Sequence, residues 1–428
     1  MKTCSYLVIA AILCSLSMLP NRAVAQKNVL IYEQEPGKYA PCEPSIAIDP
    51  SNSREMIAGA VMDYMFVSKN NGLSWNTYQL KSKYGVYGDP CIVADDNEQF
   101  YYFHLSDPEG EGWNSDKLLD RIVVQKRNKR NHWSKGKGIG HNPPKDQDKE
   151  WATWDPYQQR LVVTWTQFDE YGSKDPRCES NILLSTSKNG KKWKKPIQIN
   201  TTPGNCEDNS QTAEGAVPAV DAYGNTLVAW NRDGKIYFQT ISAQSGKPVG
   251  QEKEIVDNAN WSFDVPGFRR MNGMPVTVAD RSARPTRGNV YINWTDQRNG
   301  EDDTDVWIVK STDGGFTWSE PIRVNDDAAG KHQFMSWMAI DQETGYLYVV
   351  FYDRRDHEGN MTDVYLAISH DGGDTWENRK ISKEPFEPSG KVFFGDYINI
   401  DVVKGNVRPI WTREKNQRLS IWTAIISD

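Results

Sequence analysis

A six-residue pattern ending in aspartate recurs seven times along the chain. The copies are PSIAID (to Asp49), PCIVAD (Asp95), EWATWD (Asp155), AVPAVD (Asp221), PVTVAD (Asp280), SWMAID (Asp341) and DYINID (Asp401). The steps between these aspartates are 46, 60, 66, 59, 61 and 60 residues. A near-constant period of this size marks a repeat architecture, whose units bury their apolar faces only against one another. The alternation and β-branched content of the copies read as strand. Each copy leads through a turn (NSR, DNE, YGN, ETG, KGN) to a second short strand, as in NVYINWTD and YLYVVFYD.

The second half of each unit repeats too. TDVWIVKSTDGGFTWSEPIRV and TDVYLAISHDGGDTWENRKI each hold a strand, a tight turn and another strand. YMFVSKNNGLSWNTYQL and NILLSTSKNGKKWKKPIQI are looser copies. No helix-period segment of useful length appears after the leader. Two hairpins per unit predict an all-β fold, a β-propeller of seven four-stranded blades, with six as the alternative count. The last unit supplies only three strands, and NVLIYEQ (Asn28–Gln34) is a spare one. The N-terminal strand is therefore expected to complete the last blade and close the ring, leaving no open sheet edge.

Two turns match S-x-D-x-G-x-T-W: Ser311, Asp313, Gly315, Thr317, Trp318 and Ser369, Asp371, Gly373, Thr375, Trp376. This resembles the Asp box of the sialidase-like, BNR-repeat propellers. In that family the boxes lie on outer hairpin turns, away from the axis. The chemistry of the turn fits scaffold work: Asp caps backbone amides and Gly takes positive φ.

The first residues, MKTCSYLVIAAILCSLSMLPNRAVAQ, have the basic start, apolar run and small-x-small site of a secretory signal. The chain thus divides into a signal peptide, 1–25, and one propeller domain, 26–428, secreted or periplasmic and with no membrane span. A monomer is expected. A net charge of -7 with no basic stripe argues against nucleic acid. Cys42, Cys91, Cys178 and Cys206 remain after the leader, an even number in an exported chain. Three pairings are open, and the preferred one is Cys42–Cys91 with Cys178–Cys206.

In a propeller, loops before first strands and after second strands converge on the axial mouth. Polar residues there include Glu43, Asp89, Glu150, Glu214, Asn272 and Asp396 before first strands. Asp63, His104, Arg232, Arg298, Arg354 and Arg413 follow second strands. The resemblance implies more. Asp63 stands where the family's acid/base Asp falls, Glu214 resembles its Glu, and Tyr397 opens the last unit as its nucleophile does. Arg232, Arg298, Arg354 and Arg413 are then the candidate clamp for a substrate carboxylate. The family's F-R-I-P motif is absent, since PCEPSIAID places Cys42 and Glu43 where it would stand. The implied function is an exo-acting, sialidase-type glycoside hydrolase on acidic sugars. The alternatives are a non-catalytic glycan- or protein-binding propeller, or a uronate polysaccharide lyase using His104 and His141. No cofactor is expected, with Ca²⁺ at the acidic loop GEDDTD (Gly300–Asp305) left open.

Overall fold

The computed structural model describes residues 26–128 and 132–427. The leader and residues 129–131 of the basic turn KRNKRNHW lie outside the described residues. Seven four-stranded antiparallel sheets span 45–79, 91–139, 146–198, 214–256, 276–323, 333–380 and 399–427, the last including strand Gln26–Glu33. We number them blades 1 to 7. In blades 1 to 6 the strands pair in chain order. The innermost strands touch in ring order, and that of blade 7 returns to that of blade 1. Strand Gln26–Glu33 pairs antiparallel with Arg418–Ser427, so the first residues complete the last blade as expected. Asn28 also holds blade 6, donating to the Ile381 carbonyl at 2.8 Å and accepting the Lys383 N–H at 2.6 Å.

Two repeated devices explain the sequence period. In six copies of the hexapeptide, Oδ1 of the last Asp accepts the backbone N–H two residues on, at 2.7–3.0 Å. Such an Asx turn bends the inner hairpin, so the aspartate is selected by the turn. In the seventh copy, Asp401 Oδ2 instead accepts the Ile48 N–H of blade 1 at 2.7 Å, across the closing joint. The S-x-D-x-G-x-T-W turns are likewise internal. Asp313 accepts from the N–H groups of Phe316 and Thr317 and from the Ser311 and Thr317 hydroxyls, at 2.6–2.9 Å. Asp371 repeats this with Asp374 and Thr375. These bonds hold both carboxyls near pKa 2, the ionised form the turn needs.

The second strands supply the core between blades. Trp165, Trp230 and Trp294 occupy matching places in VTWTQ, VAWNR and INWTD and are fully buried. Truncating such a side chain costs about 3–5 kcal/mol.

The cysteine expectation is half corrected. Cys178 and Cys206 form a disulfide. Cys42 and Cys91 are buried free thiols that face opposite ways around the ring. Cys91 Sγ accepts the Ala152 N–H of blade 3 at 3.3 Å. Cys42 lies against Gly395 before blade 7, where an added Cβ would meet its own Cβ at 3.2 Å.

Candidate functional site

Every inner strand begins at the axis, and the way it begins is unusual. Six residues before the repeated Asp, the backbone turns left-handed in six of the seven blades. The residues are Glu43 (φ 53), Asp89 (φ 45), Lys149 (φ 52), Gly215 (φ 77), Met335 (φ 54) and Gly395 (φ 98). In blades 3, 4 and 6 the position lies within a β-bulge of the inner strand. A bulge re-aims side chains. At Gly395 a Cβ would come within 2.7 Å of Glu43 Cγ, so blade 7 needs glycine there. Glu43, Asp89 and Lys149 have no such excuse. A non-glycine residue in this region costs on the order of 1–3 kcal/mol, and such strain gathers at working sites.

Asp396 is the hub of this ring. Its carboxylate accepts Lys149 Nζ of blade 3 at 2.7 Å and Arg270 Nε, from the loop between blades 4 and 5, at 2.7 Å. Its N–H donates to Glu43 Oε1 at 3.0 Å, and its carbonyl accepts Asn272 Nδ2 at 3.0 Å. One residue thus ties four regions of the ring together. Arg270 also donates to Asp208 Oδ2 at 2.8 Å, which takes the Tyr171 hydroxyl at 2.7 Å.

The carboxyls divide electrostatically. Burial would raise Asp396, but Lys149 and Arg270 outweigh it and hold the group below the usual range. Burial pushes Glu43, Glu150 and Glu214 well up, assisted by Asp89 for the first two and by Asp208 for Glu214. Burial also lifts Asp148 to about 7, although Lys149 opposes it. Environments that drive neighbouring carboxyls apart make one an acid and another a base.

The two oxygens of Glu150 have no hydrogen-bond partner among the described residues. A raised carboxyl pKa in the fold means that ionisation opposes folding. Its penalty is absent below the unfolded value of about 4.3 and grows as pH rises toward the folded value. Glu150→Gln is therefore expected to stabilise the protein at pH 8 by about 1–3 kcal/mol and not at pH 4. Thermal unfolding of both proteins across that interval checks it. A difference independent of pH would remove ionisation as the cause.

The residues expected from sequence are only partly brought together. Glu214 and Tyr397 are both buried at this mouth. Tyr397 packs between Trp151 and Trp337, with ring centroids 4.9 and 6.0 Å away, and its hydroxyl has no partner among the described residues. Burial, then Asp89 and Glu43, push its pKa well up. Asp63 is half-buried in the turn between the second and third strands of blade 1, and Lys38 is the one side chain among the causes that shift its pKa. No contact joins Asp63 to Tyr397 or Glu214 among the described residues.

Each guanidinium of the expected four-arginine clamp already has a partner within the protein. Arg232 donates to Glu252 at 3.0 Å and lies over Tyr237. Arg298 grips Asp296 at 2.6 Å, and Arg413 holds Glu384 at 2.9 Å. Arg354 is buried on the neutral acceptors Pro266 O and Thr362 Oγ1, and burial lowers its pKa to about 10. Carboxylates within reach of these strand ends capture three of the guanidiniums before they can face the axis. His104 is sealed, its pKa lowered by burial to about 4, while His141 is solvent-facing beside Asp120. The two do not form a lyase pair. In the acidic loop, Asp303 and Asp305 accept from Gly330, Asn325 and Asn299. No group of three or more His, Cys, Asp or Glu among the described residues is arranged to hold a metal.

Lys149, Arg270, Asp148 and Asp208 were not among the sequence candidates. Lys149 and Arg270 reach Asp396 across 247 and 126 residues of chain, which no local pattern signals. Below the hub, an axial channel of about 670 Å³ runs between the inner strands. Its rim is formed by the inner-hairpin turns, with Arg281, Gln342 and Lys404, and Trp151 and Trp337 line its inner end.

No protein-family model matches the chain, and no curated protein matches it. Among solved structures, a protein of unknown function from Dyadobacter fermentans DSM 18053 is similar at TM-score 0.52 and 12% identity, over 95% of this chain and 99% of that one. A Hadza microbial sialidase is similar at TM-score 0.48 and 13% identity, over 87% and 73%. An α-L-arabinanase of Penicillium chrysogenum, complexed with arabinobiose, is similar at TM-score 0.47 and 11% identity, over 81% and 98%. The first of these likenesses shows the fold alone: the chain is an all-β propeller of seven four-stranded blades.

Proposed function

We propose that the protein is an exported, glycan-processing propeller whose axial mouth acts as a glycoside hydrolase. One observation carries this reading: strained charged residues deliver carboxyls of opposed acidity to one end of the axis. Within that cluster Asp148, itself buried, lies within electrostatic reach of the half-buried Asp208. Asp148, lifted to about 7, is suited to protonate a leaving oxygen. Asp208, paired with Arg270, is suited to serve as the carboxylate partner, as nucleophile or as base toward water. Glu214, buried beside Asp208, supports the pair by keeping its own proton.

The substrate moves from an acidic sugar to an uncharged one. The mouth holds Glu43, Asp89, Asp148, Glu150, Asp208, Glu214 and Asp396 against Lys149 and Arg270, and both cations are already paired. A sugar carboxylate would find neither of these two cations free to pair with it. The leader and the Cys178–Cys206 disulfide favour an oxidising compartment.

The test is sugar release from neutral, sialylated and uronate glycans. Release from a neutral glycan, lowered about 100-fold or more by Asp148→Asn and by Asp208→Asn, is the expected result. Release from sialosides that Tyr397→Phe abolishes and Asp148→Asn leaves intact would instead favour the tyrosine route. A binding propeller without turnover is the second reading. It is favoured by the Lys149–Asp396–Arg270 network, which fills the axis with the protein's own groups.

A further inference from the structure

Beside the mouth, the loop between the second and third strands of blade 2 carries Trp113, 66% exposed on a single 3-10 turn. An exposed indole of this kind is ordinarily mobile. This one is held. Its ring stacks on Tyr171 at 5.5 Å with an interplanar angle of 30°. Tyr87 meets it edge-on at 6.1 Å and 89°. Asp107 fixes the backbone beneath it, accepting the N–H groups of Gly110 and Gly112 at 3.0 Å each. Ser106 ties the two ends of the loop together through Asp120 at 2.8 Å, and Ser115 braces its middle through Glu109 at 2.7 Å.

The platform is continuous with the proposed chemistry. Tyr171, under Trp113, donates to Asp208, and Asp208 holds Arg270. On the other side Tyr87 lies within electrostatic reach of Asp148 and of Tyr39, whose ring is 69% exposed. A flat aromatic face thus stands among acceptor carboxylates at the lip of the mouth. A pyranose or furanose ring presents C–H groups on a face and hydroxyls around its edge. An indole face matches the first, and carboxylates accept from the second. A protein partner would need a broader apolar patch than one indole ringed by acids.

We propose that Trp113, braced by Tyr87 and Tyr171, is a stacking subsite for one ring of an uncharged oligosaccharide, placed next to the Asp148–Asp208 pair. This deepens the hydrolase reading: the substrate is a chain long enough to occupy the platform and the mouth together. The fixed ring loses little conformational freedom on binding, so its contact contributes nearly in full.

The test is affinity electrophoresis of the secreted chain through native gels cast with arabinan, xyloglucan, galactomannan or mixed-linkage β-glucan. At least one gel is expected to retard the wild type. Trp113→Ala is expected to weaken that interaction roughly tenfold or more, the effect of losing one aromatic anchor. Trp113→Tyr, which keeps a flat ring, is expected to recover part of it. Tyr223→Ala, at a residue 79% exposed on the opposite face, is the control expected to migrate as wild type. Retardation by none of the gels, or equal retardation of Trp113→Ala and wild type, would overturn the platform. Retardation lost in Trp113→Ala with no hydrolysis by the wild type would sink the hydrolase reading and keep the platform. Retardation of the wild type only by a protein-conjugated matrix would assign the indole to a protein partner and overturn it.

Discussion

Asp396→Ala is expected to lower the free energy of unfolding by about 3–5 kcal/mol, the usual result of removing one partner from a buried ion pair. The side chain is almost wholly buried, and the Lys149 ammonium it leaves, nearly as enclosed, keeps only the longer 3.6 Å contact with Asp89. Arg270 keeps Asp208 and is the lesser casualty. Urea unfolding followed by far-ultraviolet circular dichroism measures the loss. The pH dependence has a definite sign. Asp396 titrates below its unfolded value of about 3.9, so its contribution is complete above that value and is lost as pH falls through the folded one. The gap between wild type and Asp396→Asn should accordingly be full at pH 7 and shrink below pH 4. Lys149→Met with Asp396→Leu should recover much of the loss, since an apolar pair of similar volume replaces a buried ion pair at little cost. If the double variant is no better than Asp396→Ala, packing and not charge explains the hub.

Removal of residues up to Glu33 should have the larger effect. The strand Gln26–Glu33 makes seven ladder pairs with Arg418–Ser427, and it is the outermost strand of blade 7. Without it, the C-terminal strand presents an open edge, and Ile31 no longer covers its cluster with Ile410 and Ile421. An open edge of this length is a template for pairing with other chains. The truncated protein is expected in inclusion bodies or in the void volume of a sizing column. A monomeric product that melts with the full domain would show that a three-stranded last blade closes the ring well enough.

The ring was legible because its repeated residues answer to local chemistry. The hexapeptide ends in Asp because an Asx turn follows it, and an Asx turn reaches only two residues. The spare strand Asn28–Gln34 was legible by arithmetic, since the seventh unit lacked one. The site was less so. Glu214 and Tyr397 were found by their place before inner strands, but what surrounds them depends on left-handed residues that no composition announces. Lys149 looks like one more charge in DKEW, and only the closed ring brings it to Asp396. The arginines illustrate the opposite case. In Asp-x-Arg, as in Asp296 and Arg298, the partner is two residues away, and a local ion pair consumes the charge that the axis was expected to use.

The two unpaired cysteines give the protein a reporter of its own breathing. Cys42 and Cys91 lie within 2% of full burial at the roots of blades 1 and 2, and burial pushes both thiols toward the protonated, unreactive form. A disulfide reagent or maleimide can reach them only when those inner strands part. Labelling rates therefore time the separation of blades 1 and 2 from their neighbours, while Cys178–Cys206 stays silent. A glycan that grips the mouth would slow that clock, so the rate of thiol capture would register the ligand without any catalytic assay.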